Sequence, residues 1–322
     1  MQIAMAKKVL HNPHDRLIKL TFRRRSTAAS FLQAYLPSDL VSGVNWKSLV
    51  VRPGSFLDSR FKAHESDLLF EVRFRGEPLL LYCLFEHQST NDPWMGLRLL
   101  GYLHAIWQEV AKDSVQRVAL PAMIPVVLYQ SLESWTAPLR WREYIALPEA
   151  VPVSLEGLSL DFGYQLIDLS RLSVDEIRGD LFSQLTLGLM KALMDGRTLS
   201  WIESAGPLLR ELVHRKNVTG MLEALLRYLL SEETRVNYKD MVAALQSSTA
   251  PEIATRAKSI AERLFEDGHE RGRLEGQIQM LEKMLKQHVT PSSILEKKTP
   301  KEMQGMVDEL SEQFAKIARI DV

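Results

Sequence analysis

With Cys83 as the only cysteine in 322 residues, the chain cannot close an internal disulfide, and its fold must rest on packing alone. A reducing compartment suits such a chain, and a cytoplasmic location is the expectation. Long apolar runs are also lacking. The longest, Leu79 to Phe85, falls far short of the roughly 20 residues that a membrane-spanning helix needs. The opening MQIAMAKKVLHNPHD carries no extended apolar leader segment, so no membrane partner is expected. Net charge is absent too: 40 Lys and Arg balance 40 Asp and Glu, and any attraction to nucleic acid has to come from local patches. What the chain does have is apolar residues, 46% of the total, enough for two domains or for one large domain with helices appended.

The most regular strand pattern lies between Glu65 and Ser89. Asp67 to Phe74 and Leu79 to Gln88 are two runs rich in Leu, Val, Phe and Tyr, separated by Arg75-Gly76-Glu77-Pro78, and this predicts a hairpin. In the second run Leu80, Tyr82, Leu84, Glu86 and Gln88 alternate onto one face, while Leu81, Cys83, Phe85 and His87 take the other. An antiparallel pairing would bring Asp67, at the start of the first run, near Glu86 at the end of the second. Two carboxylates at a strand end can hold a divalent cation through oxygen ligands. Spacing alone equally fits two solvated surface groups.

Around this hairpin the pattern alternates between helix and strand. Asp15 to Tyr35 reads as a helix ending before Pro37. Residues 1 to 25 hold seven basic residues against the single acid Asp15, and Lys19 and Arg23 share a helix face suited to phosphate contact, with Arg24 and Arg25 beside them. A solvated basic face is the plain alternative. Val50, Val51, Phe56 and Leu57 around Pro53-Gly54 suggest a short strand or turn, with Asp58 in the turn. Asn91 or Asp92 would cap a helix opening at Pro93, with an apolar stripe Trp94, Leu97, Leu100, Leu103, Ile106, Trp107 and Val110 against the sheet. Arg98 and Tyr102 on this helix are candidates to face a phosphate, with packing or surface roles as the alternative. Met123 to Tyr129 is a further strand, and the strand-helix-strand order makes it parallel to the Glu86 strand, so the sheet is mixed. Tyr164 to Leu169 reads as an edge strand. Ser173 and Glu176 form a capping box before helical periodicity over Val174 to Met194, and 197 to 248 read as further helices.

The fold class expected is therefore α/β, a mixed sheet flanked by helices and followed by an α-helical C-terminal region. The domains expected are 1–172, a helical region 173–250, and C-terminal helices 251–322. In the last of these Gly268, Gly272 and Gly276 recur every four residues, with Leu274, Ile278, Leu281 and Leu285 at apolar spacing, a pattern that suggests either close packing against a second copy, the homodimer expected here, or a frayed, locally broken helix. His214 on its amphipathic helix reads as an ordinary surface or core histidine.

Asp67 followed nineteen residues later by Glu86-x-Gln88 resembles the D…(D/E)xK core of the PD-(D/E)XK nuclease superfamily, with Gln in place of Lys. The wider text, His14-Asp15, PGSFLDS at 53 to 59, ESDLLFEV at 65 to 72, LFEHQS at 84 to 89, LRLLGYLHAIW at 97 to 107 and IPVVLY at 124 to 129, is similar to the Rpn family of recombination-promoting nucleases, also called YhgA-like transposases. The chain departs from that pattern at Gln130-Ser131, where relatives often have His-Gly. The resemblance implies a PD-(D/E)XK-like fold and a DNA endonuclease that uses Mg2+ or Mn2+. It implies Asp67 and Glu86 as metal ligands, with the main-chain carbonyl of His87 as a third, Gln88 orienting the attacking water, and Asp15 as a further acid from the first helix. Lys19, Arg23, Arg24 and Arg98 are then the candidate DNA contacts. The competing readings are a non-catalytic DNA-binding or assembly protein on the same scaffold, and a two-carboxylate glycosidase, which lacks an aromatic-lined cleft in this sequence.

Overall fold

The computed structural model describes residues 13–52, 68–86, 91–112, 119–145, 160–212, 214–215, 218–230, 236–296 and 298–318. The first elements are α1 (Pro13–Phe22), α2 (Arg25–Tyr35) and α3 (Ser38–Gly43), followed by strands β1 (Val44–Arg52), β2 (Leu68–Phe74) and β3 (Glu77–Glu86). Helix α4 (Met95–Lys112) then crosses to β4 (Ala122–Tyr129) and on to β5 (Gln165–Asp168). The strands lie in chain order, β1, β2 and β3 antiparallel and β3, β4 and β5 parallel, which is the mixed sheet expected.

The hairpin closes through Arg75 and Gly76, whose φ angles of 49° and 95° give the left-handed pair that matches the twist of a two-residue hairpin. Phe74 then pairs with Glu77, and the ladder is regular as far as Leu68 opposite Cys83. Gly43 lets the Phe74 ring lie against the end of α3, since a Cβ there would come within 2.2 Å of it. Strand β1 is nine residues long rather than the short segment expected. Its ladder shifts between Asn45 and Val50, where Asn45 and Ser48 take up backbone groups: the Asn45 carboxamide accepts the Lys47 N–H, and the Ser48 hydroxyl accepts the Arg73 N–H at 2.8 Å. A bulge of this kind breaks the two-residue alternation that marks a strand in sequence.

Helix α4 covers one face of the sheet, with Met95, Leu99, Tyr102 and Ile106 against Leu69, Leu80, Val127 and Tyr129. Of the stripe expected, Leu103, Ile106 and Val110 do pack inward, but Trp94 and Leu97 are exposed and Tyr102 lies in the core rather than facing a ligand. The helix begins at Met95 rather than Pro93, and Gly96 on its first turn abuts Tyr144, which sets the rotation. On the other face Phe70, Leu81, Val126 and Leu128 are buried. There α1, α2 and α5 (Leu181–Met194) are tied together by the Thr21–Thr186 hydroxyl pair and by Thr27 donating to Asp180, each at 2.8 Å.

Two helical segments that the sequence presented as continuous are broken. Phe22 packs on Phe31 at 4.7 Å, so the chain turns a corner between α1 and α2 with Arg24 extended. The Ser173–Glu176 capping box is present but caps only a short 3-10 turn over Val174–Glu176. Gly179, at φ 113°, resets the direction, and Asp180 caps α5 by accepting the Ser183 N–H.

The described residues form two compact units, one over His14–Trp201 and one including Ile202–Val322. The first extends past residue 172 because α5 belongs to its packing through Thr186 and Asp180. Helix α6 (Thr198–Ser204) spans the division. The second unit contains α7 (Gly206–Leu212), α8 (Val218–Leu229), α9 (Tyr238–Ser248), the 34-residue α10 (Pro251–Met284), α11 (Ser292–Leu295) and α12 (Pro300–Ala318). In it Leu274 and Ile278, with Leu281 and Leu285 at the margin, pack on Leu295, Met303, Val307 and Leu310, so the apolar stripe attributed to a dimer is covered within the chain. The helix is unbroken through its glycines, and a Cβ at Gly268 or Gly276 would meet nothing within 4 Å.

Candidate functional site

Parallel strands bring their C-terminal ends together, and here β4 and β5 end in step, with Glu86 of β3 in the same row. Glu86 pairs with Tyr129, the last residue of β4, and Tyr129 pairs with Asp168, the last of β5. Glu86 and Asp168 thus stand on either side of Tyr129 in one row at the sheet end.

Tyr129 is fully buried, edge-on to Trp135 with ring centroids 4.8 Å apart. The side chain of Asp168 is 5% exposed. Its Oδ1 accepts from the Ser170 N–H at 2.9 Å and from the Ser170 hydroxyl at 2.6 Å, capping a 3-10 turn. Oδ2 has the Arg171 Nε at 3.3 Å, close enough for charge attraction but outside hydrogen-bond geometry. Gln130, the next residue after Tyr129, donates its amide to the Met190 carbonyl at 3.0 Å. Lys191, also buried, reaches the Ser170 carbonyl at 3.3 Å and Asp195 at 3.0 Å.

Three buried polar atoms of residues at this end of the sheet have no hydrogen-bond partner among the described residues: Tyr129 Oη, in the cluster beneath α4, Gln130 Oε1, on a side chain turned toward α5, and Asp168 Oδ2. Each such atom costs about 1–3 kcal/mol unless a water, an ion or a substrate meets it. The Asp168 carboxylate, with one buried oxygen unmet, is the kind of oxygen donor that a hard cation takes. The described residues alone contain no group of three or more His, Cys, Asp or Glu side chains that could hold a metal.

Of the residues expected from sequence, Asp67, His87 and Gln88 lie outside the described residues, as does Asp58. Glu86 is at the strand end, and Asp15 lies on α1. Arg98 is half-buried and pairs with Asp92 at 3.2 Å, so its charge is used within the chain. Arg24 lies over the Phe182 ring at 3.9 Å and serves the corner between α1 and α2. Arg23 and Arg25 are exposed and Lys19 half-buried. Arg23 still continues the α1 spiral, its N–H bonded to the Lys19 carbonyl at 3.0 Å, so these two side chains keep the spacing expected of them. Asp168 carries no signal in the sequence, because its strand is only four residues long and its alignment with Glu86 depends on two successive parallel registers that one sequence does not specify.

No helix among the described residues is long and apolar enough to cross a membrane. No solved structure matches the chain. Among curated proteins it is 28% identical over 268 residues to recombination-promoting nuclease RpnA of Escherichia coli K12, covering 83% of this chain and 88% of that one. It is also 28% identical over 256 residues to RpnD of Escherichia coli O157:H7, covering 79% and 95%. A third relative, 26% identical over 273 residues and covering 84% and 88%, is the inactive recombination-promoting nuclease-like protein RpnE of Escherichia coli K12. Residues 12–219 match the family described as "Putative transposase, YhgA-like", and the chain belongs to that family.

Proposed function

We propose that this chain is a divalent-metal-dependent DNA endonuclease acting in recombination, with its site at the C-terminal end of β3. The observation that carries this reading is the position of Glu86 in one row with Tyr129 and Asp168, whose buried carboxylate keeps one oxygen unmet. The names of RpnA and RpnD support the reaction class and its link to recombination.

Asp67, Glu86 and the His87 carbonyl are the residues that would hold Mg2+ or Mn2+, hard cations suited to an all-oxygen donor set. When bound, such an ion neutralises charge on the phosphoryl oxygens and lowers the pKa of a water nucleophile. Gln88 can both accept and donate a hydrogen bond, so it can orient the attacking water, while lacking the positive charge of the lysine in the parent motif. Asp15 supplies a further acid from α1. Lys19 and Arg23 hold the phosphate backbone, independently of sequence. Arg24 and Arg98 contribute to the scaffold instead, one over Phe182 and the other paired with Asp92.

A second reading, a DNA-binding or assembly protein without cleavage, is favoured by the inactive relative RpnE and by the Gln at position 88. Incubating the full chain with supercoiled plasmid, with and without Mg2+ or Mn2+, separates the two. The nuclease reading expects relaxed or linear product only with the metal. Retarded but intact plasmid under both conditions would favour the second.

A further inference from the structure

Four aromatic rings form a continuous row on the sheet unit, outside the residues assigned above. Trp94 lies against Tyr144 with centroids 6.3 Å and planes 31° apart, Tyr144 against Trp141 at 6.0 Å and 28°, and Trp141 against Phe162 at 5.7 Å and 18°. Trp141 is stacked between Tyr144 and Phe162, and Trp94 is tilted on Tyr144. Trp94 at its end is 60% exposed, and Leu97, one helical turn on, is 51% exposed. Scattered exposed apolar residues are ordinary on a protein surface, but here Trp94 and Leu97 stand together, backed by the half-buried Tyr144 and Trp141 rings.

The row is held in place from below. The Tyr144 hydroxyl donates to the Pro138 carbonyl at 3.0 Å and accepts the Gly96 N–H at 3.1 Å. A Cβ on Gly96 would come within 2.5 Å of the Tyr144 ring, so only glycine lets that ring lie on the first turn of α4. The Trp141 N–H bonds the Phe162 carbonyl at 2.8 Å, and the Asp161 carboxylate accepts from the Arg140 guanidinium at 3.1 Å and the Arg142 N–H at 3.3 Å. Rings fixed in this way lose little freedom when a ligand lands on them, which favours binding.

The row is tied to the strand that neighbours Glu86. Trp94 follows Glu86 by eight residues, and Asn91 bonds Thr136, the neighbour of Trp135, whose ring packs on Tyr129 in the Glu86 row. An exposed ring near the exposed Arg142, with the Arg140 guanidinium already paired to Asp161, suits the flat bases and phosphates of a nucleic-acid strand.

We propose that Trp94 and the rings behind it are a stacking platform for unpaired bases of a DNA strand entering the Glu86 site. The choice of DNA rests on the nuclease reading, whereas the platform itself is tested by binding without metal. In EDTA, the full chain is titrated with a labelled oligodeoxythymidine and with a blunt duplex of the same length. Replacing Trp94 with Ala should weaken oligodeoxythymidine binding by roughly 5- to 150-fold, one stacked base being worth about 1–3 kcal/mol. Trp94→Phe should keep most of the affinity, duplex binding should change far less, and tryptophan fluorescence of the parent should be quenched by the single strand. Unchanged affinity in Trp94→Ala, equal losses for single strand and duplex, or no binding of oligodeoxythymidine by the parent would overturn the proposal and leave the patch to a protein partner. If plasmid is never cut but single-strand binding depends on Trp94, the nuclease reading fails and the platform stands.

Discussion

Thr21 and Thr186 share a 2.8 Å hydrogen bond between two hydroxyls that are fully buried, joining α1 to α5 across 165 residues of chain. The bond matters because an unpaired hydroxyl in that position has no water to turn to. Replacing either threonine alone with valine should destabilise the sheet unit by about 1–3 kcal/mol, whereas the double replacement should recover most of the loss, since both polar groups leave together. Denaturant unfolding of the two single variants and the double variant measures this directly. Additive losses would show that the hydroxyls do not depend on each other.

The basic cluster at the corner of α1 and α2 divides into two roles. Arg24 lies on Phe182, so Arg24→Ala should lower stability by about 0.5–1 kcal/mol. Arg23→Ala should leave stability unchanged and reduce the salt dependence of DNA binding by about one counterion, equally for all sequences. A sequence-selective loss in Arg23→Ala would count against phosphate contact.

Glu176 and Glu302 each close a capping box. The Glu176 carboxylate accepts the Ser173 N–H, and then the Ser173 hydroxyl, which hold it below its ordinary 4.5; Glu302 does the same with Thr299. A carboxyl lowered in the folded state stabilises the fold fully above its unfolded value, and that stability is lost as pH falls through the folded value. Glu302→Gln should therefore remove part of the acid dependence of α12 unfolding below about pH 4.5, with little change in its slope above neutrality. Helix content followed by circular dichroism against pH tests this, and an acid slope identical to that of the parent would contradict it.

Gly268 and Gly276 sit inside α10 with open space where a side chain would go. Substitution by Ala should raise stability by roughly 1 kcal/mol at each position. The homodimer expected of this segment now rests on the glycine face alone, because Leu274 and Ile278 are covered by α12. Light scattering beside the thermal melt separates the cases: a higher melting temperature at unchanged mass fits an open face, whereas a fall in mass would place a second copy against the glycines.

The hairpin, the crossover helix and the parallel strand after it were legible in the sequence because each rests on local signals. A Gly turn punctuates the hairpin, apolar alternation marks its arms, and helix start residues precede α4. Features set by distant partners were not legible. Gly96 against Tyr144 decides which face of α4 is buried, Phe22 on Phe31 breaks the first helix, and α12 takes the stripe of α10 that invited a dimer. The site was legible only in part. Glu86 could be placed at a strand end from alternation, but its alignment with Asp168 is a matter of sheet register, and the row at Trp94 is assembled from segments far apart in the chain.

The central claim is that the end of β3 is a metal-dependent cleavage site, and cleavage of plasmid by charge-removing variants tests it most directly. Asp67→Asn and Glu86→Gln keep size and hydrogen bonding but remove the charges that would hold the cation, so each should abolish nicking in Mg2+ while the folded circular dichroism spectrum is retained. Gln88→Ala should cost about 10²- to 10³-fold in rate, and Gln88→Lys should match or exceed the parent. The decisive measurement is the nicking rate of Glu86→Gln relative to the parent, each purified identically and assayed in Mg2+. A rate at the no-enzyme background is the predicted result, and a rate equal to the parent's would contradict the assignment.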